Sequence, residues 1–368
     1  MKHYQAAVKR ISSGVDNFFR KTFTDIDVIG PALDPERLRR ARLLVVCTHR
    51  SQTDYFLVGY VLHFRGVANM RFAAGDNLTG LPVIGRKFRE MGAFSVRRGK
   101  TFGRDYVRNL CEKVIDMLAR GDTIIVFPEG GRSYEGGMME IRGGIIGAGV
   151  VSQFRDPDAE VLLLPMSICY ERLPELGSFE TLLRGKSLRR PGQGPLRRIL
   201  GTILYFGADI VAFSRFLTAY RFGGNYSSVH VDYGAPIPIR DIVDFESDLI
   251  EGARDDFSAC RLAVQKVSLQ VHERFNGLYC VLPSHILARV LRDHGDMDTG
   301  EAGKRCLEIV DSLARRGRNM RLVDGLSAEQ LVEMGARQLR GFRAVGARNG
   351  RVTVKTPYVV RYHAAATD

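Results

Sequence analysis

In the stretch "LLVVCTHRSQTDYFLVGYVL", residues 43 to 62, an apolar run ends and a polar hexad begins at His49 and closes at Asp54. An imidazole and a carboxylate at this spacing have one well-defined chemistry. The carboxylate accepts a hydrogen bond from one ring nitrogen, fixes the tautomer and raises the basicity of the other nitrogen, which is what a general base near neutral pH requires. The competing reading is a loop histidine followed by an aspartate that caps the helix beginning at Tyr55. Asp54 suits both. Cys47 and Ser51 lie beside His49, but Cys47 closes an apolar strand and reads as an inert core thiol.

The elements that must position these groups follow from periodicity. Residues 43 to 47 read as a buried strand and 54 to 64 as a helix; 67 to 75 is a second strand and 92 to 99 contains a third. In "RDYVRNLCEKVIDMLARG" (104 to 121) Val107, Leu110, Val114 and Leu118 recur at helical spacing up to a closing Gly121. "DTIIVFPEGG" is a β-branched strand running into a glycine loop, and 159 to 170 is a further strand. The alternation predicts an α/β fold, a mixed sheet with helices on both faces, and puts the polar hexad at the carboxyl edge of that sheet, the usual place for a site.

Beyond it, 185 to 198 reads as a basic loop rich in Gly and Pro and 227 to 239 as a last sheet strand. From about 245 to 345 the pattern is mainly helical, interrupted by "DHGDMDTGEAG" (293 to 303), and the closing "GRVTVKTPYVVRYH" alternates like a short hairpin. The expected organisation is an amphipathic N-terminal segment (1–24), a catalytic domain (25–244) and a mainly helical C-terminal region (245–368) packed on it.

The chain of 368 residues is 45% hydrophobic, enough for a sizeable core, and carries 54 Lys and Arg against 41 Asp and Glu, a net charge of +13. Such a charge points to an anionic partner. The basic 184-to-198 segment lacks the interleaved aromatics that stack on bases, so a membrane surface or phosphate-bearing substrates fit better than nucleic acid. Six scattered cysteines without a C-x-x-C pair argue against a zinc site or a disulfide framework. No secretory signal is read, because "MKHYQAAVKRISSGVDNFFRKTF" has no uninterrupted apolar core, and no transmembrane span, because "GTILYFGADIVAFSRFLTAYRF" is broken by Asp209 and Arg215. "GLPVIGRK" has Arg86 where a phosphate-binding loop needs Lys, and "GRSYEG" is not a hydrolase elbow.

Three more blocks occur in order: "GAFSVRR" (92 to 98), "FPEGGRS" (127 to 133) and "LLLPMSICYE" (162 to 171), each at a strand end. With the hexad they resemble the four sequence blocks of the glycerolipid acyltransferase superfamily. His49 and Asp54 match the first block, Gly92, Phe94 and Arg97 the second, Phe127, Pro128, Glu129, Gly130, Arg132 and Ser133 the third, and Pro165 the fourth. The closer likeness is to the branch acting on glycerol-3-phosphate and dihydroxyacetone phosphate. "THRSQTDYFLV", "AAGDNLTGLPVIGRKFREMGAFSVRRG" and "IVFPEGGRSYEGG" look like its motifs, and "VLPSHILARVL" and "PYVVRYHA" like pieces of its C-terminal region. Tyr134 and Glu135 depart from it, standing where Arg and Thr are usual.

The resemblance implies transfer of a fatty acyl group from an acyl-CoA or acyl carrier protein thioester to the sn-1 hydroxyl of glycerol-3-phosphate. It implies no cofactor beyond that co-substrate; the scattered cysteines predict no metal and a reducing, cytoplasmic setting, and the charge without a span predicts a peripheral place on the cytoplasmic side of an anionic membrane. His49 is the expected base and Asp54 its orienter. Arg97 and Arg132, with Arg98 or Arg142, are the expected cations for the acceptor phosphate. Glu129 either holds its loop through N–H groups or binds an acceptor hydroxyl; Gly130 lets the backbone turn; Ser133 is the remaining substrate-site expectation. The runner-up is a lysophospholipid acyltransferase, and the competing class is a non-catalytic protein that binds anionic membranes.

Overall fold

The computed structural model describes residues 17, 19–75, 86, 89–97, 103–173, 175–188, 196–197, 199–201, 204, 211, 227–244, 247, 260–348 and 350–368. In chain order the strands are β1 (Asp25–Ile29), β2 (Arg42–Cys47), β3 (Met70–Gly75), β4 (Ala93–Val96), β5 (Thr123–Val126), β6 (Val161–Tyr170), β7 (Ser228–Tyr233), β8 (Ile237–Pro238), β9 (Met297–Asp298), β10 (Val345–Arg348) and β11 (Arg351–Val354). The helices are α1 (Pro35–Arg40), α2 (Asp54–Phe64), α3 (Arg104–Ala119), α4 (Gly143–Arg155), α5 (Leu176–Leu188), α6 (Arg261–Leu278), α7 (Pro283–His294), α8 (Thr299–Arg315), α9 (Ala328–Arg340) and α10 (Pro357–Ala364).

The main sheet is eight-stranded, in the order β1-β7-β6-β2-β5-β3-β4, with β8 also pairing β6. β2 runs parallel to both β5 and β6, and β3 parallel to β5 and β4. The segments that follow β2, β4, β5 and β6 therefore all leave the same edge. β2 shows why the strands are continuously apolar. Leu43, Val45 and Cys47 enter one core cluster and Leu44 and Val46 the other, so both faces are covered. On the first face lie α2, α5 and the helices α7 to α10; on the second lie α3, α4 and α6. This is the α/β architecture with helices on both faces and a mainly helical C-terminal region. Pro165, in the middle of β6, stands opposite the break between β7 and β8, as the pairings Met166 with Tyr233 and Leu163 with Ile237 show. A strand interrupted there makes little use of the N–H that proline lacks.

Several sequence expectations are corrected. The stretch 227 to 239 is two strands around a break at residues 234–236, not one strand. Residues 185–188 of the expected basic loop are the last turn of α5; Arg189, Arg190 and Arg198 lie outside the described residues. The acidic stretch 293 to 303 contributes β9 and then the start of α8, where Asp298 accepts the Gly300 N–H at 2.7 Å as N-cap. The closing hairpin is formed by β10 and β11, with β9 as third strand, and "PYVVRYHA" is the helix α10. Pro357 at the first helical position supplies a preset φ and has no N–H to lose, which ends the alternating pattern there. Of the N-terminal segment, residues 1–16 and 18 lie outside the described residues; Phe19 and Phe23 are buried, Phe19 edge-on to Tyr60. No helix among the described residues is long and apolar enough to cross a membrane. All six cysteines are buried and free.

Candidate active site

The loop after β2 is braced on one carboxylate. Asp54 Oδ2 stands 2.9 Å from His49 Nδ1 and accepts the backbone N–H groups of Arg50 (2.6 Å) and Ser51 (2.8 Å). Its other oxygen accepts the Tyr170 hydroxyl at 2.6 Å. Thr53 holds the N-cap position, so the capping role open to Asp54 is corrected: the carboxylate turns back onto the loop that precedes it. Facing a carboxylate, Nδ1 carries the ring proton, and Nε2 is left with its lone pair. The buried His49 ring stacks on Phe127 (centroids 4.4 Å apart) and meets Tyr55 edge-on. Burial is the main reason that its pKa lies below the ordinary 6.5; Asp54 pulls upward, and the charge of Arg132 adds to the depression. A neutral imidazole near pH 7 is competent to take a proton.

The loop after β5 reaches across to this one. Glu129 Oε1 accepts the His49 N–H at 3.1 Å, and the Ser133 N–H donates to the His49 carbonyl at 3.1 Å. Arg50 Nη1 donates to Glu129 Oε2 at 2.9 Å and to the His49 carbonyl at 3.3 Å. Arg132 is buried, its Nη2 donating to the Tyr134 hydroxyl at 3.2 Å and its guanidinium carbon 5.3 Å and 5.7 Å from the rings of Tyr134 and Phe179. Glu175, just after β6, accepts the Ser51 hydroxyl and the Gln52 N–H (2.9 Å) and lies 3.9 Å from Arg132 Nη1. Burial raises its pKa. A base, its orienting carboxylate and a buried guanidinium thus share one sheet edge, an arrangement able to deprotonate a hydroxyl on an anionic molecule.

A model of the family described as Acyltransferase matches residues 32–168, a span that holds both loops. A glycerol-3-phosphate acyltransferase of Xanthomonas axonopodis pv. citri (strain 306) is 31% identical over 266 residues, 71% of this chain and 28% of the relative. The protein of the same name from Xanthomonas campestris pv. campestris is 31% identical over 264 residues, again 71% and 28%. Residues 32–168 form a domain of the acyltransferase family. A third relative of that name, from Haemophilus influenzae (strain PittEE), is 30% identical over 225 residues, 59% of this chain and 27% of its own length. The chain spans about 28% of the length of the first two relatives.

Around this domain's two loops the expected site residues are unevenly placed. His49, Asp54 and Arg132 come together. Glu129, read either as a brace of its loop through N–H groups or as a contact to an acceptor hydroxyl, has both oxygens turned inward to Arg50, one of them also to His49 N–H, which is the bracing geometry. Ser133 Oγ donates to the Gly137 carbonyl at 2.7 Å and accepts the Gly136 N–H, which ties its own turn. Gly130 has φ of +70°, and a Cβ there would meet the Arg142 side chain at 2.7 Å. Arg142 is exposed beside it. Arg97 is exposed at the end of β4, its guanidinium 5.0 Å from the Tyr106 ring centroid. Arg98 lies outside the described residues. Sequence reasoning missed Arg50, Tyr170 and Glu175. Arg50 had a signal, its place next to His49; Glu175 had none, since only folding brings it to Ser51.

Proposed function

We propose that this chain transfers an acyl group from a thioester, of coenzyme A or acyl carrier protein, to the sn-1 hydroxyl of glycerol-3-phosphate, giving lysophosphatidate. The observation that carries the reading is the His49–Asp54 pair at 2.9 Å on the edge where the buried Arg132 also lies. The thioester is already activated. His49 Nε2 removes the acceptor proton as the hydroxyl attacks the thioester carbonyl, the C–S bond breaks, and the imidazolium returns that proton to the departing thiolate; assistance of this kind is worth about 100- to 10,000-fold. Arg132 pairs with the acceptor phosphate, and Arg97 and Arg142 add cations at the same edge. The names of the relatives support the acceptor, and the family supports the reaction class.

The same proposal places the chain on anionic bilayers. Leu196, Ile199 and Leu200 are exposed, Leu196 by 81%, around Arg197, and Arg184 is exposed nearby in sequence. Apolar side chains flanked by cations suit a lipid surface with negative headgroups, each cation adding about 1 kcal/mol. Sedimentation with anionic vesicles is expected to be lost in high salt; equal binding to neutral vesicles contradicts the electrostatic part. For the reaction, purified protein is given labelled palmitoyl-coenzyme A and a panel of acceptors. Glycerol-3-phosphate is expected to be acylated and glycerol not; preferred acylation of lysophosphatidate moves the protein to the lysophospholipid class, and acylation of no acceptor removes the reading.

A further inference from the structure

Among the described residues the side chain of Arg50 is the largest of the fully buried ones, 1% exposed, and burying a guanidinium is costly unless it is paired. Its partners explain where it points. Nη1 bridges both oxygens of Glu129 (2.9 and 3.2 Å) and the carbonyl of His49 (3.3 Å). Nη2 reaches Met138 Sδ at 3.4 Å, and the guanidinium carbon lies 5.0 Å from the ring centroid of Tyr279, the residue that closes α6. Glu129 holds the other end of the same residue, accepting the His49 N–H. Both backbone polar groups of His49 are thus bonded to one buried ion pair, while Asp54 holds its ring.

We propose that Arg50 and Glu129 are positioning residues: a buried ion pair, closed over by Tyr279 from the C-terminal region, that clamps the backbone of His49 and so sets the direction of its imidazole. The proposal rests on the acyl-transfer reading for its kinetic consequence, not for its structural one. Both side chains are fully buried and turned to each other, so the clamp acts on the rate of the proton transfer and not on the holding of either substrate. A base displaced by about 1 Å loses on the order of 100-fold. This also gives the C-terminal region a task at the site, since the aromatic wall over Arg50 comes from α6.

The test uses the full chain and two variants. Replacing both members together, Arg50→Met with Glu129→Leu, leaves no unpaired buried charge and is the change of the pair best tolerated by the fold. Arg50→Lys keeps the charge but, being shorter and without the planar guanidinium, has no nitrogen at the reach of Nη1, which alone bonds both Glu129 and the His49 carbonyl. The double variant is expected to fold and to lose roughly 100-fold in kcat with both KM values within about threefold of wild type. Arg50→Lys is expected to lose about tenfold with the same KM pattern. Wild-type kcat in the double variant overturns the proposal, as does a loss confined to the KM for glycerol-3-phosphate, which makes the pair a substrate-binding element. If the double variant does not fold, Arg50→Lys decides by the same criteria. If the wild-type chain acylates nothing, the histidine NMR spectrum decides: a changed titration or broadening of the His49 resonance in the variants supports the clamp, and an unaltered resonance overturns it, independently of the reaction.

Discussion

His49 owes its protonation state to burial and to neighbouring charges that act in different directions. Burial and the charge of Arg132 lower its pKa, and Asp54 raises it, with the lowering ahead. A base must be deprotonated, so kcat/KM is expected to hold down to a pH below 6.5 and then fall as His49 gains its proton. Arg132→Gln removes one depressing charge, and the acid limb should move to higher pH. It should also raise the KM for glycerol-3-phosphate about ten- to hundred-fold, since a lost charge-assisted bond costs about 1.5–3 kcal/mol, and leave that for the acyl donor little changed. A limb that stays in place in this variant contradicts the electrostatic role of Arg132. Asp54→Asn can keep one oxygen for the loop N–H groups but then turns an NH2 toward the Tyr170 hydroxyl, and it removes the negative charge that stabilises the imidazolium as His49 takes its proton. A drop in kcat of about 100- to 10,000-fold with an unchanged circular dichroism spectrum is expected. Near wild-type turnover means that Asp54 serves the loop alone.

The elements meet at a glycine. Gly136, in the loop after β5, has φ of +90°, and a Cβ there would overlap the Tyr362 carbonyl of α10. Tyr358 of the same helix donates its hydroxyl to the Tyr134 carbonyl at 2.5 Å. Gly136→Ala is expected to push α10 away from the loop, lowering Tm by several degrees, in line with a cost of about 1–3 kcal/mol, and slowing turnover through Arg132 and Ser133. An unchanged Tm shows that the contact yields without cost. This junction also marks where sequence reading ends. The strands before His49 and Glu129 were legible because continuous β-branched and apolar runs bounded by polar loops have few other solutions, and their loops share an edge once the strands are parallel. α10 was not legible as a helix, since "PYVVRYH" follows an alternating strand and its buried positions answer to tertiary neighbours. β1 was missed for a related reason: "DIDVI" alternates charge and apolarity too briefly to stand out, and only pairing with β7 makes it a strand. At the site, His49 and Asp54 were legible through the hexad taken together with the three blocks that follow it in order, whereas Glu175 and Tyr170 reach them from far along the chain.

At the scale of the whole molecule, buried histidines set the response to acid. His49, His285 and His363 all have folded pKa values below the ordinary 6.5, mainly through burial, His363 at about 4. Between those values and 6.5 the unfolded chain binds more protons than the folded one, so stability is full above pH 6.5 and is lost as pH falls toward 4. His363 alone contributes about 3 kcal/mol to this loss, from 6.5 to about 4 at 1.36 kcal/mol per unit. Glu175, raised by burial, works the other way, and His230, raised by its Glu171 and Asp27 partners against burial, contributes stability that is lost as pH rises through its folded value. Urea midpoints are expected to fall steadily from pH 6.5 to 4, and to fall less in His363→Phe; a flat profile contradicts the burial of three neutral imidazoles. The most direct test of the chemistry is a paired assay of purified wild type and His49→Ala, well folded by circular dichroism, with labelled palmitoyl-coenzyme A and glycerol-3-phosphate and the lipid product identified by mass. Lysophosphatidate from wild type and none above the uncatalysed rate from His49→Ala is the expected result, whereas turnover of the variant at about a tenth of the wild-type rate or more means that His49 is not the base.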